Sequence, residues 1–107
     1  MLFSAYKANT TLPHRYSESD FRRQVLALAQ LCGWKCYFTW TSIRSPAGFP
    51  DFCLVRDRVL FAELKTAKGK VTPAQQEWLD ALRAAGQEVY VWRPEDLLEI
   101  AEVLRRR

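Results

Sequence analysis

At 107 residues, with 49% hydrophobic and 26% charged positions, the chain has the size and balance of one globular domain with a single core, which leaves no room for a separate DNA-binding module. Sixteen Lys and Arg against 12 Asp and Glu give a net charge of +4, a moderate excess that suits a polyanionic partner without requiring one. No apolar run reaches the length of a membrane span, and three cysteines without a C-x-x-C pair, far from the single His14, read as free thiols of a soluble protein in a reducing, intracellular compartment.

Residues 1–16 show no sustained periodicity and read as an N-terminal arm, with the folded domain spanning 17–107. Ser17 followed by Asp20 resembles a capping arrangement, so a first helix is expected from there to about Cys32, where Gly33 stops it. Its apolar stripe is Phe21, Val25, Leu28 and Cys32, and three residues before Phe21 stands Glu18, at the inward end of that face. Two readings of Glu18 stand: an acid favourable to the helix dipole, or a carboxylate aimed at a site.

A strand over Trp34–Trp40 follows, then the polar loop Thr41–Gly48. Within it Arg44 is either a bidentate phosphate clamp or an ordinary exposed arginine. Gly48 and Pro50 shape a tight turn that delivers Asp51 to the start of a strand. Asp51–Val55 and Val59–Lys65 are rich in β-formers and are separated by Arg56-Asp57-Arg58, so they read as a β-hairpin.

Beyond Lys65 the basic loop Thr66–Thr72 carries Lys68 and Lys70, which grip a phosphate backbone or are simply solvated. Thr72 before Pro73 fits an N-cap and a proline at the first helical position, giving a helix to about Ala85 that ends at Gly86, with Trp78, Leu79 and Leu82 as its apolar stripe. A strand over Glu88–Trp92 and a helix from Pro94 to about Leu104 complete the domain, ahead of an Arg105-Arg106-Arg107 tail that touches nucleic acid or, by default, frays. The order αβββαβα predicts an α/β domain with a mixed sheet flanked by helices, the strand ending at Lys65 running parallel to that at Val89.

The chemistry concentrates at the hairpin. Residues two apart in a strand share a face, so Glu63 and Lys65 lie together. A three-residue loop pairs Val55 with Val59 and sets Asp51 opposite Glu63, whereas a two-residue loop would turn Asp51 to the other face. Two carboxylates at cross-strand distance repel unless a cation lies between them, and such hard oxygen ligands suit Mg²⁺ or Mn²⁺. Lys65 beside them supplies a donor for a phosphate oxygen or the attacking water. The arrangement fits hydrolysis of a phosphodiester.

Gly48-Phe49-Pro50-Asp51, Glu63-Leu64-Lys65 and Pro73-Ala74-Gln75-Gln76-Glu77-Trp78-Leu79 resemble the VRR-NUC nucleases, a branch of the PD-(D/E)xK superfamily. The similarity extends to Glu18 with Phe21, to Gly33-Trp34, and to Val89-Tyr90-Val91-Trp92-Arg93-Pro94. One departure is Arg22, where the family pattern has Gln; it is read as a substrate-side variation with little bearing on the metal site. The resemblance implies a restriction-endonuclease-like core and a Mg²⁺- or Mn²⁺-dependent endodeoxyribonuclease. It implies Asp51, Glu63 and the Leu64 carbonyl as metal ligands, assistance from Glu18, and a place in the catalytic set for Gln75, for which a surface polar residue is the alternative. Small free-standing members resemble Holliday-junction resolvases, which implies branched DNA as partner, a homodimer, no organic cofactor, and a bacterial or phage-infected cytoplasm. A monomeric flap or nick nuclease and a catalytically silent DNA-binding domain are the alternatives.

Overall fold

The computed structural model describes residues 17–39 and 44–107; the expected arm over 1–16 and the loop positions 40–43 lie outside the described residues. Helix α1 (Glu18–Leu31) starts where the capping signal places it: the Asp20 amide donates to the Ser17 hydroxyl at 3.1 Å and the Ser17 amide to the Asp20 carboxylate at 3.1 Å. Gly33, at φ +89°, turns the chain out of the helix. The buried stripe is Phe21, Val25 and Ala29, with Leu28 and Cys32 half-buried at its edge. Steps of four set the seam, and three residues back from Phe21 lies about 60° off it. Glu18 is therefore exposed, at 59% of its side-chain surface, and not inward-facing as the spacing suggests.

Strand β1 (Lys35–Phe38) is antiparallel to β2 (Phe52–Val55), and β2 is antiparallel to β3 (Val59–Leu64). Val55 pairs with Val59 and Phe52 with Ala62, the register of a three-residue loop, as expected. Helix α2 (Pro73–Ala84) is capped by Thr72 and crosses over to β4 (Glu88–Trp92), which is parallel to β3. The sheet order is β1-β2-β3-β4. A short 3₁₀ turn (Pro94–Asp96) precedes helix α3 (Leu97–Arg105). This is the expected mixed α/β arrangement, with the last helix beginning one turn later than Pro94.

Alternation assigns the two faces of the sheet. Phe52, Leu54, Leu60, Ala62, Leu64 and Trp92 face α1 and α3 and form one core with Phe21, Val25, Ala29, Ile100, Val103 and Leu104. Phe61 and Glu63 point the other way, toward α2, whose Leu79 is buried and whose Trp78 packs edge-on to Phe49, itself against Phe61.

The C-terminal end is tied down. Arg56 and Arg58 lie over the Trp34 ring at 4.5 and 5.0 Å and donate to main-chain carbonyls. Arg56 reaches Cys32, Leu104 and Arg106, and Arg58 reaches Val103 and Arg106. Trp34 Nε1 donates to Leu104 O at 2.8 Å. The chain expected to fray is thus held as far as Arg106, because the hairpin loop satisfies the carbonyls that the end of α3 leaves without intrahelical donors.

Candidate active site

Past the last ladder pair, Phe52 with Ala62, the next residues across the hairpin are Asp51 and Glu63. Pro50 is buried and Gly48 adopts φ +98°, so the chain enters β2 through a fixed bend. A Cβ on Gly48 would stand 2.5 Å from the Ala74 carbonyl oxygen and 2.9 Å from the Gln75 nitrogen. The glycine is what lets the loop touch the start of α2. Trp78 Nε1 reinforces that contact by donating to Ala47 O at 3.2 Å.

Asp51 Oδ2 accepts the Leu64 amide at 2.8 Å, replacing a ladder bond beyond the end of β2. The N–H and C=O of one strand residue point to the same edge, so the Leu64 carbonyl is on the Asp51 side. Asp51 Oδ1 faces Arg22 Nη2 at 3.5 Å.

Glu63 is the one buried charged residue among those described, 2% exposed. Its Oε2 takes the Gln75 amide at 2.9 Å and lies 3.6 Å from Lys65 Nζ, while Oε1 is buried with no partner. Burial, and then the negative charge of Asp51, push its carboxyl up to about 7 against the pull of Lys65. Gln75 serves two ends at once: its Oε1 accepts the Thr72 amide at 2.9 Å in the helix cap while Nε2 reaches Glu63. The capping geometry therefore fixes which way the amide faces the acid.

These positions bring Asp51, Glu63, Lys65 and Gln75 together. Glu18 comes near only through Arg22, whose Nη2 lies 3.9 Å from Glu18 Oε2 and 3.5 Å from Asp51 Oδ1. Arg22 thus bears directly on the acid pair, contrary to the expectation of a substrate-side variation. The Arg22 guanidinium also lies over Phe52, 5.9 Å from the centre of that ring. Among the described residues no group of three or more His, Cys, Asp and Glu side chains gathers. The donor set for a cation is then two carboxylates and a carbonyl, hard oxygens of the kind Mg²⁺ and Mn²⁺ take. An acid with one orphaned oxygen, repelled by a second acid, fits such an ion.

Arg44, Lys68 and Lys70 are exposed. Arg93, which the sequence reading did not single out, donates through Nη1 to Thr66 O and Gly69 O at 2.7 Å each, and so pins the Lys68–Lys70 loop. An idealised Cβ on Gly69 would sit 3.6 Å from Lys65 Cδ, so the loop lies against the Lys65 stem.

The VRR-NUC domain profile matches residues 6–95. The chain belongs to the VRR-NUC family. This VRR-NUC chain is similar in structure to Hjc of Archaeoglobus fulgidus, a Holliday junction resolvase from an archaeal hyperthermophile, with 27% identity and a TM-score of 0.53. The match covers 69% of this chain and 66% of that one, so this VRR-NUC chain spans just under two thirds of the resolvase's length. No curated protein sequence matches.

Proposed function

We propose that this VRR-NUC protein is a divalent-metal-dependent endonuclease acting on branched DNA, with the four-way junction as its substrate. The observation that carries the reading is the hairpin register, which seats Asp51 across from a buried Glu63 whose second oxygen has no partner, with Lys65 3.6 Å from the first. The similarity to Hjc supports the choice of substrate.

Asp51 Oδ1, Glu63 Oε1 and the Leu64 carbonyl are the groups that would hold Mg²⁺ or Mn²⁺. The ion, when bound, lowers the pKa of a coordinated water and neutralises charge on the phosphate. The protein's own part is orientation. Gln75 fixes Glu63 through Oε2 and leaves Oε1 for the metal. The Leu64 amide fixes Asp51 in the same way. Lys65, on the Glu63 side and 15% exposed, places an ammonium where charge grows on the phosphate oxygens. Glu18, exposed at the first turn of α1, acts on the acid pair by way of Arg22. Lys68, Lys70 and Arg44 supply backbone contacts that carry no sequence information.

Resolving a junction requires cuts on two strands, and one chain supplies one acid pair, so the active species is a C2 dimer. The test is cleavage of labelled four-way junction, flap, nicked and plain duplex DNA with Mg²⁺, Mn²⁺ or EDTA, beside Lys65→Ala, with mass in solution measured in parallel. Junction cutting that needs the metal, falls at least about a hundredfold in the variant and comes from a dimer is the expected result. Preference for flaps or nicks from a monomer would replace the junction reading. Junction binding that survives EDTA with no cleavage would leave a silent DNA-binding domain.

A further inference from the structure

Arg22 meets its acids differently from Arg58. Arg58 meets Glu88 through two nitrogens at 2.8 and 3.3 Å, a closed bidentate pair. Arg22 instead divides one nitrogen between Glu18 at 3.9 Å and Asp51 at 3.5 Å, and its Nη1 is buried without a partner. A guanidinium so placed neutralises without being locked. The oxygen it faces, Asp51 Oδ1, is the one left over after Leu64 takes Oδ2. A divalent cation between Asp51 and Glu63 needs that same oxygen.

We propose that Arg22 is a counter-cation of the metal-free site, which competes with the divalent ion for Asp51 and so sets how much metal the protein needs. This rests on the reading of Asp51 and Glu63 as metal ligands. In the absence of metal, Arg22 offsets the repulsion between the two carboxylates. When the ion arrives, a positive charge a few ångströms away opposes its binding until the guanidinium gives up Asp51, with Glu18 one turn back as its remaining partner.

The experiment is titration of the full chain, without DNA, with Mn²⁺ and with Ca²⁺ by calorimetry, for the native protein, Arg22→Gln and Asp51→Asn. Removing the competing charge is expected to tighten binding on the order of tenfold, and Asp51→Asn is expected to abolish it. The melting temperature gained at a fixed Ca²⁺ concentration is expected to be larger in Arg22→Gln than in the native protein, by the same linkage. Unchanged or weaker binding in Arg22→Gln, with Asp51→Asn still inactive as a binder, overturns the competition and makes Arg22 a support for Asp51. A folded native protein that binds no cation, or an Asp51→Asn variant that binds as well as native, removes the metal reading and the proposal with it. If Arg22→Gln does not fold, Arg22→Met carries the same expectations, because it keeps an apolar stem over Phe52.

Discussion

Glu63, the proposed metal ligand, is buried where the fold disfavours its charge. It is 2% exposed and faces Asp51 across the hairpin, and burial and that second acid push its carboxyl from 4.5 up to about 7. Its folded pKa is raised, so the native state holds a proton that the unfolded chain has already released. Stability is therefore full below about pH 4.5, falls as pH rises toward 7, and stays lower above that. The loss is of the order of 3 kcal/mol for this group. Glu63→Gln removes the titration while keeping an acceptor for Gln75, so in EDTA the variant should melt several degrees higher than native at pH 8 and about equally at pH 4.5. Equal melting at both values would mean that Glu63 is ionised at no cost. At this scale the sequence was legible where a local rule applies: strand alternation and a three-residue loop are enough to bring Asp51 and Glu63 together. Arg22 was not legible, since its reach to Asp51 depends on how α1 crosses the sheet, which no spacing within the helix encodes. The exposure of Glu18 has the same origin, the seam of α1 being centred on Ala29 and not Leu28.

Between elements, two contacts position the site. The first is Gly48 against the start of α2, with φ +98° and no room for a Cβ beside Ala74 and Gln75. Gly48→Ala combines backbone strain with a clash against main chain, and is expected to cost about 2–4 kcal/mol. Because the displaced atoms belong to the turn that carries Gln75, nuclease activity should fall further than the loss of folded protein explains, which comparison of activity with folded fraction at a low temperature checks. The second is the clamp of Trp34, Arg56 and Arg58 on α3. Arg56→Ala strands the Cys32 carbonyl that its Nη1 reaches at 3.1 Å and leaves Leu104 O to Trp34 Nε1 alone, and a loss of about 1–3 kcal/mol in denaturant unfolding is expected. The candidate site lies at the opposite end of the hairpin, so the proposed junction cleavage should be native-like in the remaining folded protein. The turn was legible but this clamp was not: Arg56-Asp57-Arg58 satisfies turn chemistry, and the carbonyls that Arg56 reaches stand 24 to 50 residues away along the chain. The helix caps at Ser17 and Thr72, by contrast, were readable because donor and acceptor are three residues apart.

On the proposed function, charge and shape over the whole molecule have to deliver a phosphodiester to Lys65. A net charge of +4 is too small to hold DNA by an even field, so placement of the cations matters more than their number. Lys68 and Lys70 are carried by a loop that Arg93 ties down at both Thr66 O and Gly69 O and that rests on the Lys65 stem. Each phosphate contact made by this loop releases counterions, and each one lost flattens the dependence of binding on salt. For Lys68→Ala with Lys70→Ala, measured on four-way junction in Ca²⁺ across a range of KCl, log K against log[salt] should lose roughly 0.9 per contact, and the weakening should be the same for junctions of different sequence. Arg93→Ala keeps both lysines but frees the loop, so it should weaken binding with a smaller change in slope, because the charges still reach phosphate after paying conformational entropy. A slope unchanged in the double variant would place Lys68 and Lys70 off the DNA path and leave Arg44 and Lys65 as the cations that meet the backbone.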